Sequence, residues 1–109
     1  MELHERPRGL ALSLPEAHEA DHHGRPSFRV ANRIFATLWD AEHMNVMLDE
    51  DGIRTFVDEQ PEACEGFYWG KRLRAVSVDL RRASDELLRE LLTQAWERKA
   101  PARLLTRPA

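Results

Sequence analysis

The period of the apolar positions changes along this chain, and the changes mark out its elements. Leu10–Leu14 ends a short N-terminal helix at Pro15, which cannot continue it, and Gly9 weakens that helix. Glu16–Gly24, "EAHEADHHG", is polar and reads as an edge strand or a loop, after which Arg25-Pro26 turns the chain. Phe28 and Val30 alternate with Arg29 and Ala31, a short strand signal, and Asn32-Arg33 makes a tight turn. "IFATLW" (Ile34–Trp39) is apolar on both faces, so it reads as a central strand covered on one side and partly shielded on the other. In "MNVML" (Met44–Leu48), Met44, Val46 and Leu48 point one way, and Asn45 and Met47 point the other. Asp40–His43 is short enough to close a hairpin.

The period then becomes helical. Asp49-Glu50-Asp51 suits a helix start, where free N–H groups favour carboxylates, and Ile53, Phe56 and Val57 form one apolar stripe that Pro61 ends near Gln60. "ACEGFYW" and "AVSVDL" read as two further strands, with Val76, Val78 and Leu80 on one face. The last helix is the clearest. Ser84 caps it, Asp85 and Glu86 fill its first turn, and Leu87, Leu88, Leu91, Leu92 and Ala95 run down one side. Arg98 and Lys99 fall in its last turn, before Pro101. Each of those leucines contributes about 1.5–3 kcal/mol when buried. Helix, strands, helix, strands, helix predicts an α+β fold with an antiparallel sheet packed against helices.

Length adds that the 109 residues fit a single domain, with a core over about residues 10–100 and a short C-terminal tail. Cys64 is the only cysteine, which excludes an internal disulfide and a thiolate metal cluster. No apolar run approaches the roughly 20 residues of a membrane span, and the N-terminus lacks a leader's apolar block. A cytoplasmic protein is expected. The net charge of -3 argues against a strong nonspecific nucleic-acid binder, but the charge is segregated. Residues 40–65 carry nine acids against Arg54 alone, and residues 66–109 carry ten bases against five acids. Such a pattern is either a chance division of solvated faces or a basic surface facing an anionic partner.

Glu65–Leu80, "EGFYWGKRLRAVSVDL", brings candidate chemistry into view. Lys71, Arg72, Arg74, Arg81 and Arg82 supply cations, with Asp79 the one acid among them, and Phe67, Tyr68 and Trp69 supply flat rings. Cations hold phosphates and rings stack on bases. The same stretch also reads as a turn leading into a core strand, with alternation sending one or two rings inward. The pairs Lys71-Arg72 and Arg81-Arg82 flank opposite ends of one strand and need not form one patch. The basic-Gly-aromatic order of RNA-recognition sheets is not kept.

Other chemistry has less support. Among the histidines His4, His18, His22, His23 and His43, "HEADHH" places His18 and His22 on one face of a strand, or at i, i+4 of a helix. Without HExxH or a thiolate partner, no metal site is expected there. Glu50, Asp51, Asp58 and Glu59 read as a solvated helix face, and Asp49–Asp51 is explained by capping. Ser13, Ser27, Ser77 and Ser84 lack a nucleophile signature. Glu62 and Glu65 would raise the Cys64 thiol pKa and so deactivate it. Trp39 and Trp96 read as core-edge residues. Neither an enzyme nor a cofactor is expected.

In their order along the chain, Ala11–Glu19, Gly24–Trp39, the acidic helix with its stripe, "EGFYWGKR" (Glu65–Arg72), Ala75–Leu80 and Asp85–Glu97 resemble the MmcQ/YjbR family of small bacterial proteins, over roughly residues 8–105. The resemblance implies a frataxin-like (CyaY-like) fold and DNA binding through a "double wing". The chain departs from that family where an asparagine is usual before the penultimate strand, and Leu73 stands near the expected aromatic. The expected function is DNA binding without catalysis through Lys71, Arg72, Arg74, Arg81 and Arg82, with Tyr68 or Trp69 stacking. The alternative is a protein-interaction module with no nucleic-acid role. No membrane partner is expected, and the oligomeric state is left open.

Overall fold

The computed structural model describes residues 2–105, so the tail beyond Leu105 lies outside the described residues. Helix α1 (Glu2–Leu12) leads into four strands, β1 (His18–His22), β2 (Arg25–Val30), β3 (Arg33–Leu38) and β4 (His43–Val46). Helix α2 (Glu50–Glu59) precedes a hairpin of β5 (Cys64–Trp69) and β6 (Arg72–Asp79). Helix α3 (Asp85–Lys99) and one further turn, α4 (Ala102–Leu105), follow. The strands form one sheet in the order β1-β2-β3-β4-β6-β5, with every neighbouring pair antiparallel. This is the expected α+β class.

One core lies between the helices and one face of the sheet. Across the strands, Ala36 stands opposite Val46 and Val46 opposite Val76, while Leu38 stands opposite Met44 and Met44 opposite Val78. These rows pack with Ile53 and Phe56 of α2, Ala11 of α1 and the leucine stripe of α3. The Ser84 hydroxyl caps α3 by accepting from Leu87 N–H at 3.1 Å, and Asp49 caps α2 by accepting from Gly52 N–H at 2.8 Å. Trp96 is buried beside the stripe and donates its indole N–H to Pro15 O at 2.9 Å. Among the described residues no helix is long and apolar enough to cross a membrane.

Two features of the sheet were not visible in the alternation. Between β2 and β3 the register steps from Phe28↔Ala36 to Arg29↔Ile34, which leaves Phe35 as an extra residue. Between β5 and β6 it steps from Phe67↔Ala75 to Tyr68↔Leu73, which leaves Arg74 as the extra one. Each bulge reverses the facing of the residues beyond it. Phe35 is therefore buried next to Ala36, and Ile34 turns to the face without helices. Leu73 enters the core, and Arg74 turns outward beside Arg72.

Turn chemistry sets the hairpins. His23 (φ 54) and Gly24 (φ 85) join β1 to β2, and Ala31 (φ 49) and Asn32 (φ 65) join β2 to β3. Two left-handed residues in a two-residue loop match the right-handed twist of the strands. The second turn therefore lies one residue earlier than Asn32-Arg33, and Arg33 already belongs to β3. Helix α1 forms despite Pro7 inside it and Gly9, and it ends at Leu12, short of the expected Leu14. A tertiary clamp offsets its low propensity: the Arg6 guanidinium donates to Leu80 O at 2.7 Å, Ala83 O at 2.8 Å and Asp85 Oδ1 at 3.0 Å.

These contacts make two predictions. Arg6→Ala should cost about 1–2 kcal/mol, because charged hydrogen bonds to otherwise unmatched carbonyls are lost. Urea denaturation would measure that cost, and amide exchange should show α1 losing protection first. Ala31→Gly should stabilise the chain by about 0.5–1 kcal/mol, since relief at φ 49 outweighs glycine's greater unfolded-state freedom. The same denaturation experiment checks the sign.

Candidate functional site

The antiparallel order sorts the predicted cations to two ends of the sheet. Lys71, Arg72 and Arg74 lie at the β5–β6 loop, whereas Arg81 and Arg82 follow the far end of β6. At that far end carboxylates absorb the charge. Arg81 lies 3.4 Å from Asp79 and 3.4 Å from Glu42, and Arg82 lies 3.6 Å from Asp79. Partial desolvation pushes Asp79 up, but the Arg81 hydrogen bonds and charge outweigh it and hold the carboxyl below its ordinary range. The aromatic residues also divide. Tyr68 lies over α2 beside Val57 and Leu73, and Phe67 and Trp69 lie on the opposite face of the sheet.

At the β5–β6 end the fold adds cations from elsewhere. Arg72 and Arg74 of β6 share a groove with Arg98 and Lys99 of α3. Arg33, just past the β2–β3 loop, belongs to the same neighbourhood. Desolvation, and then the charges of Arg98, Arg33 and Arg74, lower the Lys99 ammonium below its ordinary pKa. Asp49 and Glu50 line the groove as well, but Asp49 is engaged in capping α2, and Glu50 lies 4.0 Å from Arg54. Among the described residues no ion pair joins Lys71, Arg72, Arg74, Arg33, Arg98 or Lys99 to a carboxylate. Sequence reasoning missed Arg33, Arg98 and Lys99 because nothing linear relates them. Arg98 and Lys99 were fully accounted for as complements of the helix dipole.

The face without helices carries its own layer. The register aligns Ser27, Thr37, Asn45, Ser77 and Glu65 in a polar row across five strands. Ser27, Thr37 and Asn45 are buried even though no helix covers them. The Ser27 hydroxyl donates to Ala20 O at 2.8 Å and accepts from Arg29 Nε at 3.1 Å. Side chains of the same face cover the row. The Arg25 guanidinium lies 3.9 Å from the centre of the Trp39 ring and donates to Trp39 O at 2.8 Å, and Phe67 meets Trp39 edge-on at 5.0 Å. Between them opens a concavity of about 590 Å³, walled by Ile34, Met47, Trp39, Phe67 and Trp69 and rimmed by His22, His23, Arg25 and Arg74. Asn45 lines it, and its buried Oδ1 has no hydrogen-bond partner among the described residues.

The remaining candidates are placed as follows. His18 and His22 lie on one face of edge strand β1, and the His22 and His23 rings are 4.4 Å apart. The His43 Nδ1–H donates to Asp40 Oδ1 at 2.9 Å. Glu50, Asp51, Asp58 and Glu59 are exposed on α2. Among the described residues no group of three or more His, Cys, Asp or Glu is arranged to hold a metal ion. Cys64 is buried at the start of β5, and burial, then the Glu62 charge, push its thiol up from 9.0 to about 11.

Comparison with known proteins gives concordant results. The model of a family described as YjbR matches residues 12–98. No curated protein matches. A solved structure, the Deinococcus radiodurans protein DR2400 with a DUF419 domain, superposes with a TM-score of 0.67 at 21% identity, covering 82% of this chain and 72% of that one. At that identity the likeness concerns the fold.

The Cys64 environment predicts a pH response. The folded thiol keeps its proton to about pH 11 and an unfolded one to about 9.0, so the unfolded state binds fewer protons between them. Stability should therefore be level below pH 9.0 as far as this group is concerned, and fall as pH rises towards 11. Comparing urea midpoints of the native chain and Cys64→Ala across that window isolates the contribution, because the variant should lack this part of the slope. Alkylation of the native thiol at pH 7–8 should likewise be slow without denaturant.

Proposed function

The chain belongs to the YjbR family, and on that premise we propose that it is a non-enzymatic DNA-binding module gripping phosphates at the sheet end formed by the β2–β3 and β5–β6 loops. The observation that carries this reading is the crowding of Arg33, Arg72, Arg74, Arg98 and Lys99 at one sheet end, where burial first, and then the charges of Arg98, Arg33 and Arg74, lower the Lys99 pKa. Like charges held together with no carboxylate paired to them destabilise a fold, and an anion in the groove relieves them. Two loops project at this end, as a double-wing contact would use them. Lys71 sits at the tip of one, and Trp69, exposed to 67%, stands beside it. Trp69, and not Tyr68, is the ring on the open face, and Arg81 and Arg82 take no part in the grip because Asp79 and Glu42 already hold them. A cytoplasmic site of action belongs to this reading, and a single buried thiol suits a reducing compartment.

The acidic remainder of the chain limits affinity, and neutralising phosphates makes it strongly dependent on salt. With four or five phosphates neutralised, the logarithm of the binding constant should fall against that of salt with a slope of roughly -3 to -5. Anisotropy titrations of a labelled duplex at two salt concentrations measure it. The triple variant Lys71→Glu, Arg72→Glu, Arg74→Glu should abolish binding and its salt dependence, whereas Arg81→Glu, Arg82→Glu should retain both. Equal loss in the two variants would remove the assigned grip. Unchanged anisotropy with duplex and single strand at low salt would instead favour the protein-interaction module.

A further inference from the structure

Three features of the open-face concavity specify a ligand. The first is its floor. Asn45 is 4% exposed, and its Oδ1 accepts no hydrogen bond from the described residues. A buried acceptor without a donor is unfavourable, and native folds rarely keep one without a use for it. It calls for an N–H or O–H from a bound group, and because less than 1 Å² of the atom is exposed, that group reaches it only when a covering side chain moves aside. The second is the wall. Trp39 packs between Arg25 and Phe67, while Trp69 lines the concavity with its ring exposed. Such a ring offers a stacking face to a planar group. The third is charge: Arg25 and Arg74 stand on the rim, so the mouth suits an anion. The volume of about 590 Å³ lies within the range of roughly 300–1,000 Å³ typical of small-molecule clefts.

We propose that this concavity is a nucleotide pocket. It takes one unstacked base, with an N–H edge on Asn45 Oδ1, its ring against Trp69 and its phosphate towards Arg74. A simple carboxylate would satisfy the rim and leave Asn45 unmatched, and an apolar ligand would leave both unmatched. The nucleotide is either a free nucleoside phosphate or one residue of a single strand. In the second form the inference rests on the nucleic-acid reading above, because Arg74 belongs both to the pocket rim and to the basic groove. A strand following that groove delivers a base over the rim at Arg74. A duplex keeps its bases stacked, so the pocket favours single strands.

The test uses the full chain and thymine probes, because thymine carries its one ring N–H at N3. Anisotropy is measured with a ten-residue oligothymidine, the same strand methylated at N3, an abasic strand of equal length and a duplex. Tryptophan quenching is followed with free thymidine monophosphate. Oligothymidine should bind on the order of tenfold tighter than the abasic strand, and N3 methylation should remove most of that advantage. Trp69→Ala and Asn45→Val should remove it too while leaving abasic binding in place. Asn45→Val should also raise the thermal midpoint of the free protein, which separates lost recognition from lost folding.

Equal binding of all three strands would overturn the pocket and leave the phosphate grip standing. Quenching by the monophosphate that both variants abolish, with no strand bound, would keep the pocket as a free-nucleotide site and remove the nucleic-acid reading. No response to any probe would remove both. A lower thermal midpoint for Asn45→Val with unchanged binding would make Asn45 a structural group and overturn the proposal.

Discussion

The architecture depends on burying one face of one sheet. The leucine stripe of α3, Ile53 and Phe56 of α2, and Ala11 of α1 all pack into a single core against Phe28, Leu38, Met44, Val46, Val76 and Val78. A sheet covered on one side leaves the other to be managed by its own side chains. Here that face carries a polar row shielded by Arg25, Trp39 and Phe67 rather than a uniformly solvated surface. The buried Asn45 is a consequence: its register position is set by the rows on the helix side, and its surroundings by aromatic residues from distant strands.

The two bulges adapt this arrangement. Without them, strict alternation would carry Arg74 to the face of Val76 and expose Leu73. With them, Leu73 completes the core beneath α2, and Arg74 joins Arg72 at the surface. At β2–β3 the corresponding step buries Phe35 and sends Ile34 to the concavity. One extra residue in a strand thus serves packing on one side and assembles a rim on the other.

Electrostatics follows the same topology. Antiparallel strands return basic residues from separate parts of the sequence to common ends of the sheet. At one end Arg81 and Arg82 meet Asp79 and Glu42, and their field is largely quenched. At the other, Arg33, Arg72, Arg74, Arg98 and Lys99 gather where the nearby Asp49 is engaged in capping. Net charge conceals this difference, because the acidic excess resides in residues 40–65, much of it in the exposed face of α2.

The linear pattern alone determined the class, the helix α3 with its Ser84 cap, the acidic start of α2, and the inward rows Met44–Val46–Leu48 and Val76–Val78–Leu80. Each is local, set by periodicity, capping or dipole complementarity within a few residues. The full extent of α1 was not legible, because its support comes from Arg6 reaching across to Leu80, Ala83 and Asp85. Nor were α4, the bulges, the orphaned Asn45 Oδ1 or the basic cluster. Lys71, Arg72, Arg74, Trp69 and Tyr68 were visible as candidates, but which of them share a face was not. Facing in a sheet depends on register, register depends on partners far away in sequence, and a shift of one residue exchanges inside for outside. Tertiary structure therefore decided which charges meet, which are cancelled, and which rings remain open to a ligand.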